Sequence, residues 1–253
     1  MSFFPEGFAQ SLVPLVPARS LLPNSASQQQ SNDTATSTTT NFETSNETFE
    51  YRLIYFNVAG LGELIRTAFA VGRIDFEDVR LDEGKWKTYQ SEAPYGQLPV
   101  LEMYGTSSGK QSVGESQAIA RYVGKLAGLV PRDAVATLYM DSVLDSVRDV
   151  QRELSRTVYG ITDENEKRTA REELVVSVYP TYLRTWSSML QLNGVGTDWL
   201  NANTKPTLAD IAVAQHLDTA KDLDYMGDFL RPYPRLRAHM QRLKSWVDTA
   251  KRR

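Results

Sequence analysis

The residue that could do chemistry most directly is Tyr55, which lies near the end of a predicted strand, shortly before a turn that contains Gly60. A side chain at the end of a strand can face a pocket at the edge of the sheet. A phenol hydroxyl in such a pocket can donate a hydrogen bond to a bound group and favour the anionic form of that group. Tyr55 is therefore a candidate for stabilising an anion, whereas the alternative is an ordinary aromatic core residue.

A second candidate site is formed by Glu115 and Ser116, which stand at the start of a predicted helix. The unpaired N–H groups and the partial positive charge of a helix N-terminus suit a carboxylate. The Ser116 hydroxyl could add a hydrogen bond, and Glu115 could accept one from an amino group. The same residues would also serve as a plain serine cap with an acid beside it.

Composition excludes several other chemistries. The chain has 253 residues, no cysteine, two histidines and a net charge of -3, from 28 Lys and Arg against 31 Asp and Glu. Without cysteine there are no disulfides, thiolate metal sites, iron–sulfur clusters or cysteine nucleophiles. Two histidines leave little for a metal site or a catalytic triad, so we predict no metal. Near-neutral charge gives no footprint for nucleic acid, and no stretch reaches the ~20 apolar residues that span a membrane.

The pattern of apolar residues predicts an α/β segment followed by an all-α segment. Short buried strands are expected at 52–57, 76–81, 98–104 and 110–113, with helices at 63–71, 85–91 and 116–126. This βαβαββα order requires a right-handed crossover between the first two strands and a hairpin between the last two. Beyond residue 131 only helical stretches are expected, at 133–159, 164–192, 207–221 and 234–250. The third of these opens with Thr207-Leu-Ala-Asp210, a spacing typical of a helix-capping box.

Residues 1–50 differ in composition from the rest of the chain. Ser, Thr, Asn and Gln dominate from Asn24 to Thr48, and such a stretch buries too little apolar surface to offset the entropy of ordering it. Prolines and Glu6 argue against a signal peptide at the start. We therefore predict that residues 1–50 form a disordered extension.

Four motifs carry a resemblance to a known family: Tyr55-Phe-Asn57, Gly62-Glu-Leu-Ile-Arg66, Tyr95-Gly-Gln-Leu-Pro-Val-Leu101 and Glu115-Ser-Gln-Ala-Ile-Ala-Arg-Tyr122. In this order and spacing, residues 51–253 resemble the cytosolic glutathione transferases. The similarity is greatest to the sigma class, which includes prostaglandin D synthases and S-crystallins. The resemblance implies a thioredoxin-like glutathione-binding domain at 51–127 and an all-helical domain at 133–253. It also implies a cytoplasmic homodimer that takes glutathione as cosubstrate and has a role in detoxification.

The resemblance further implies which residues bind glutathione. Tyr55 would stabilise the thiolate, and a cis peptide bond before Pro99 would offer the backbone of Leu98 to the cysteinyl residue. Trp86 would reach the glycine end, and Asp149 would reach across the dimer. The full implied set is Tyr55, Trp86, Gln90, Gln97, Leu98, Pro99, Glu115, Ser116 and Asp149.

The pocket for the second substrate is expected between the turn after the first strand and the long helix at 133–159. Matching positions and helical spacing predict its lining as Phe56, Val58, Leu61, Arg152 and Tyr159. This assignment rests on spacing alone, and no sequence motif supports it.

Several positions depart from the sigma-class pattern. Leu61 stands where these enzymes commonly have an arginine near the active tyrosine, and Gln90 stands where a lysine is common. Arg148 and Arg156 replace an acid and a tryptophan of prostaglandin D synthases, which argues against that isomerase. The sequence therefore predicts a transferase that conjugates glutathione to electrophilic, mostly apolar small molecules. The alternatives are a glutathione-dependent isomerase or peroxidase, and a non-catalytic protein of the S-crystallin kind.

Overall fold

The structure of the protein is a computed structural model, which describes residues 48–192, 199–200, 205–221 and 228–252. Residues 1–47 of the predicted disordered extension lie outside the described residues. Its last positions belong to a strand, since β1 begins at Phe49. No helix within the described ranges is long and apolar enough to cross a membrane.

A four-stranded mixed sheet forms the first half, as the sequence predicts. Its strands are β1 (Phe49–Phe56), β2 (Glu77–Leu81), β3 (Val100–Gly105) and β4 (Gly109–Val113), in the order β2-β1-β3-β4. β1 pairs in parallel with β2 and antiparallel with β3, and β3 pairs antiparallel with β4. The helices of this half are α1 (Glu63–Gly72), α2 (Glu83–Tyr89) and α3 (Ser116–Leu126).

The alternation of side chains along β1 decides which residues face which layer. Leu53 is fully buried in the large core to which α1 and α3 contribute, whereas Ile54 belongs to a small cluster that α2 covers on the opposite face. Tyr55 follows the parity of Leu53 and lies on the α1 side, at the carboxyl end of the strand. The sheet therefore delivers the Tyr55 hydroxyl to the start of α1.

The second half is helical throughout its described residues. It contains α4 (Ala134–Tyr159), α5 (Glu164–Glu173), α6 (Tyr179–Leu192), α7 (Leu208–Lys221) and α8 (Pro234–Arg252). The stretch predicted to be helical over 164–192 is helical, but a π-helical turn at Leu174–Val178 separates α5 from α6. The Tyr179 N–H donates to Leu174 O, and Pro180 follows directly. Proline has no N–H to continue the α-helical ladder, so the chain changes its hydrogen-bond spacing before it.

The buried helix α7 starts with a capping interaction that the sequence predicts. Both the N–H and the hydroxyl of Thr207 donate to Asp210 Oδ2, at 2.7 and 2.8 Å, and the Leu200 N–H donates to Asp210 Oδ1 at 2.8 Å. The Asp210 side chain is 0 % exposed. The Asp210 carboxylate thus accepts hydrogen bonds from buried donors that cannot reach water. It also links residue 200 to the start of α7.

Replacing Asp210 by asparagine should destabilise the fold. The amide nitrogen cannot accept a hydrogen bond, so buried donors lose their partner, at a cost of about 2–4 kcal/mol in the free energy of unfolding. Urea denaturation of Asp210→Asn measures this loss. Asp218→Asn is the matched control, because Asp218 is an exposed residue of α7 that pairs with Lys221 at 3.0 Å. Equal stability of the two variants would contradict the capping role.

His216 should make stability depend on pH. It is 2 % exposed, it lies 2.9 Å from the Tyr179 hydroxyl, and burial lowers its pKa to about 4. Below its usual pKa the unfolded chain takes up a proton that the folded protein refuses, so the free energy of unfolding falls as the pH drops. His216 should account for a loss of about 2 kcal/mol between pH 7 and pH 5. Urea titrations at both pH values should show a smaller loss for His216→Asn, and identical losses would refute this origin.

Candidate functional site

The Tyr55 hydroxyl is held by the turn that precedes α1. The side chain is 8 % exposed, and its oxygen accepts a hydrogen bond from the Leu61 N–H at 3.1 Å. Because the oxygen is the acceptor in this bond, its own proton remains to be donated. None of the described residues accepts that proton. The hydroxyl is therefore oriented as a donor toward whatever binds at the carboxyl end of β1.

Two glycines allow the turn to approach the Tyr55 ring. A Cβ atom at Gly60 would lie 2.6 Å from the Tyr55 hydroxyl, and one at Gly62 would lie 2.8 Å from Cδ1 of the ring. Gly60 also has a φ of +40°, which side-chain-bearing residues rarely adopt. The turn can therefore make its hydrogen bond to Tyr55 only while both positions lack a side chain.

Arg66 of α1 fixes the same turn, and the sequence analysis did not identify this role. Its guanidinium binds the Asp78 carboxylate at 3.1 Å and donates to Val58 O at 2.8 Å and Phe56 O at 3.3 Å. It also lies 5.7 Å from the centroid of the Tyr55 ring. Arg66 stands in one of the motifs of the sequence, but only the fold shows that its buried charge holds the carbonyl groups after β1 in place.

Glu115 and Ser116 lie at the start of α3, as predicted. Glu115 is exposed and has φ 67° and ψ 100°, a conformation that is uncommon for a residue with a side chain. Ser116 is buried and is the first residue of the helix. Unusual backbone geometry of this kind is often found at binding sites. The free N–H groups of the first turn of α3 can receive an anion.

The segment before β3 brings the backbone of Leu98 beside the end of β1. The peptide bond between Leu98 and Pro99 is cis, and Pro99 is buried, whereas Gln97 is exposed. Ile54 pairs with Val100, so continuation of the antiparallel register places Leu98 level with Phe56. Leu98 therefore lies one position from Tyr55 along the edge of the site.

The short helix α2 carries Trp86 and Gln90 on the other side of the sheet. Trp86 is half-buried in the small cluster and makes an edge contact with Phe56, at 6.0 Å between ring centroids. Gln90 is exposed at the end of the helix, where its N–H donates to Trp86 O at 2.8 Å. Phe56, predicted for the second-substrate pocket, thus lies against Trp86.

Three of the predicted residues, Asp149, Arg152 and Tyr159, belong to α4. Asp149 and Arg152 are exposed and lie 3.8 Å apart as a weak ion pair. Tyr159 is the last residue of α4, and its side chain lies outside the described part of the structure. The reach of Asp149 across a dimer would require the partner subunit.

Of the other predicted pocket residues, Val58 is exposed and Leu61 is half-buried, both in the turn before α1. A cavity of about 660 Å³ lies elsewhere, between α1, α7 and α8, with Thr67, Gln215 and Met240 among its lining. None of the five residues predicted for the second-substrate pocket lines this cavity.

Arg148 on α4 is a half-buried cation whose charge interacts with residues of this site. Burial and the neighbouring Arg152 lower the pKa of the Arg148 guanidinium, whereas Glu115 and Tyr55 raise it. From the sequence alone, Arg148 is notable only as a departure from the prostaglandin D synthases. The described residues contain no cluster of three or more His, Cys, Asp or Glu side chains suited to a metal ion.

Comparison with known families places two models on the chain. The N-terminal domain model of glutathione S-transferase matches residues 51–125, and the C-terminal domain model matches residues 148–246. Glutathione S-transferase S1 of Drosophila melanogaster is 32% identical over 207 residues, which are 78% of this chain and 78% of that protein. Glutathione S-transferase 3 of Caenorhabditis elegans is 31% identical over 204 residues, or 78% of this chain and 95% of that one.

Solved structures give the same picture. The prostaglandin synthase D of Nilaparvata lugens is 32% identical with a TM-score of 0.66, and the match covers 79% of this chain and 97% of that one. The structure of NaGST-2 is 26% identical with a TM-score of 0.67, covering 80% of this chain and 97% of the other.

Replacing Gly62 by alanine should displace the Tyr55 ring. Gly62 has φ -79° and ψ -23°, so alanine fits the backbone, and its Cβ atom would crowd the ring at 2.8 Å and Arg66 Nη1 at 3.2 Å. Misplacing a reacting group by a fraction of an ångström should lower the rate of glutathione conjugation by about tenfold or more. Rates measured for Gly62→Ala and for Gly84→Ala test this.

Gly84→Ala is the matched control for that experiment. A Cβ atom at Gly84 would make an ordinary contact of 3.4 Å with Asp82 Oδ1 and none with Tyr55. Its rate should stay near that of the wild type. A Gly62→Ala variant that is folded and fully active would show that the close approach of the turn is not needed.

Proposed function

The chain belongs to the glutathione S-transferase family, and we propose that it conjugates glutathione to electrophilic, mostly apolar small molecules. The family's chemistry needs a thiolate, and a free thiol with a pKa of ~8.5 is only slightly ionised at neutral pH. The protein contributes no cysteine of its own. The reacting sulfur is therefore that of glutathione, and the task of the site is to favour its thiolate form.

The observation that carries this proposal is the direction of the hydrogen bond at Tyr55. The hydroxyl accepts from the Leu61 N–H at 3.1 Å and so keeps its proton for donation. A hydrogen bond from this O–H to the glutathione sulfur would stabilise the thiolate more than the thiol and lower the pKa of the thiol. The thiolate then attacks an electrophilic carbon, forming a C–S bond while the leaving group or a neighbouring atom takes up the electron pair.

The rest of the site supports binding of the tripeptide in one orientation. The first turn of α3, with Ser116, suits the γ-glutamyl carboxylate, and Glu115 suits the amino group. The backbone of Leu98 would pair with the cysteinyl residue next to Tyr55. Trp86, Gln90 and Gln97 would contact the glycine end. The register that sets Leu98 level with Phe56 supports the assignment of the cysteinyl residue.

A sigma-like class, a cytoplasmic location and a homodimer belong to this proposal. In the homodimer, Asp149 of one subunit would contact the glutathione of the other. The exposure of Asp149 supports such a role, since within the described ranges its carboxylate pairs only with Arg152, at 3.8 Å.

A glutathione-dependent isomerase is the second candidate, favoured by the similarity to the prostaglandin synthase D of Nilaparvata lugens at 32% identity. It would use the same thiolate on a different substrate. Arg156, an exposed residue of α4 paired with Glu153 at 3.2 Å, gives that part of the helix a charged surface. We therefore favour conjugation over an isomerase that is specific for one apolar lipid.

The direct test is Tyr55→Phe, which removes the hydroxyl and keeps the ring. Loss of one hydrogen-bond donor to a developing or bound anion costs about 10²–10³-fold in rate. We expect kcat/KM for conjugation to a generic aryl halide to fall by about 10²-fold, while the KM for glutathione changes little.

Tyr139→Phe is the matched control, since Tyr139 is an exposed residue of α4 at 37% exposure. Its kinetics should equal those of the wild type. Wild-type protein that binds glutathione but conjugates no faster than buffer would refute the transferase proposal and favour a non-catalytic role.

A further inference from the structure

The half-buried side chain of Arg148 has no role in the function proposed above. It lies on α4, and it makes neither a hydrogen bond nor an ion pair with any described residue. A guanidinium that gives up part of its hydration without a partner is costly, and such groups commonly face a binding site. The position of Arg148 relative to Tyr55 shows which site this is.

The register of α3 against α4 places Arg148 beside the start of α3. Arg121 of α3 binds Asp141 at 2.6 Å and Asp145 at 2.7 Å, and the two helices follow each other after a short link. Helices joined in this way run in opposite directions. Along α3, Ser116 lies five residues before Arg121, which is a rise of ~7.5 Å. Along α4, Arg148 lies about five residues past the midpoint between Asp141 and Asp145, which is the same rise. Arg148 lies on the same face of α4 as Asp141 and Asp145, which bind Arg121. This face therefore places Arg148 near the N-terminus of α3.

The charges acting on Arg148 agree with this placement. Burial and Arg152 lower the pKa of its guanidinium, and Glu115 and Tyr55 raise it. Glu115 precedes the first turn of α3, and Tyr55 carries the donor hydroxyl. The guanidinium is thus close enough to both residues for their charges to act on it.

The other cation near Tyr55 cannot serve the same purpose. Arg66 lies over the face of the ring at 5.7 Å, and its donors are engaged by Asp78 and by backbone carbonyls. Its charge is largely balanced by Asp78, with further compensation from Glu63 at 3.5 Å. Arg148 has no such compensation from a bound carboxylate.

We propose that Arg148 supplies the positive charge that stabilises the thiolate of bound glutathione, beside the hydroxyl of Tyr55. This inference rests on the proposed function and deepens it. A neutral phenol stabilises an anion through one hydrogen bond, whereas a cation in a partly desolvated site adds a Coulombic contribution that acts only on the charged form. Arg148 would therefore stabilise the negative charge on the sulfur, and it should affect ionisation of the thiol more than affinity for the tripeptide.

The test measures ionisation of the bound thiol directly. With the full chain saturated by glutathione, the ultraviolet absorbance of the thiolate is followed against pH for the wild type, Arg148→Gln, Arg148→Met and Arg148→Lys. Loss of the charge should raise the apparent pKa of the bound thiol by about one unit, and lysine should restore at least half of that shift. Arg132→Gln is the matched control, because Arg132 is exposed and precedes α4, ~20 Å from Arg148 along the helix.

Affinity for S-methylglutathione separates ionisation from binding, because this ligand has no ionisable thiol. Its Kd should change by less than about threefold in Arg148→Gln, with an unchanged melting temperature. A thiol pKa within experimental error of the wild type in both uncharged variants would overturn the inference. So would a loss of S-methylglutathione affinity with an unchanged thiol pKa, since Arg148 would then bind the γ-glutamyl end.

Failure of the proposed function gives a different result. Wild-type protein that binds S-methylglutathione but leaves bound glutathione as the thiol would refute thiolate chemistry altogether, and the role of Arg148 with it. A wild-type thiolate that persists in Arg148→Gln and is lost in Tyr55→Phe would retain the proposed function and refute only the inference.

Discussion

The hydrogen bond from the Leu61 N–H to the Tyr55 hydroxyl is the interaction on which the site depends. It leaves the proton of the hydroxyl as the free donor, and it requires the turn to pass within contact distance of the ring. That approach is possible only because positions 60 and 62 are glycines. Arg66 then fixes the turn through backbone carbonyls and is itself anchored by Asp78. A neutral side chain thus becomes a directed donor through its surroundings.

The helical half holds this arrangement in place through α1. Gln215 of α7 donates to the Thr67 hydroxyl of α1 at 2.8 Å, so the buried helix that Asp210 caps also contacts the helix that carries Arg66. α7 is buried along most of its length. The position of the turn at Tyr55 therefore depends on packing far along the chain as well as on its own glycines.

Our proposal explains how a chain without cysteine can carry out sulfur chemistry. The sulfur would arrive with the substrate, so the protein would need only hydrogen-bond donors and positive charge at a fixed place. In this proposal Tyr55 and the first turn of α3 provide the donors, and Arg148 of α4 provides the charge. Leu61 contributes its backbone N–H to the Tyr55 hydroxyl and no charged side chain.

Local sequence determined the elements and several of their ends. Alternating and helical apolar patterns predicted the βαβαββα order, and the Thr207-x-x-Asp210 spacing predicted the start of α7, because these features depend on neighbouring residues. The π turn before Pro180 was not predicted, nor were the hydrogen bonds by which Arg66 holds the turn before α1. Both residues are nevertheless visible in the sequence. Their effects depend on which partner lies opposite, and for Arg66 that partner is twelve residues away on another element. The electrostatic interaction of Arg148 with Tyr55 depends in the same way on tertiary packing, since it brings together charges more than ninety residues apart.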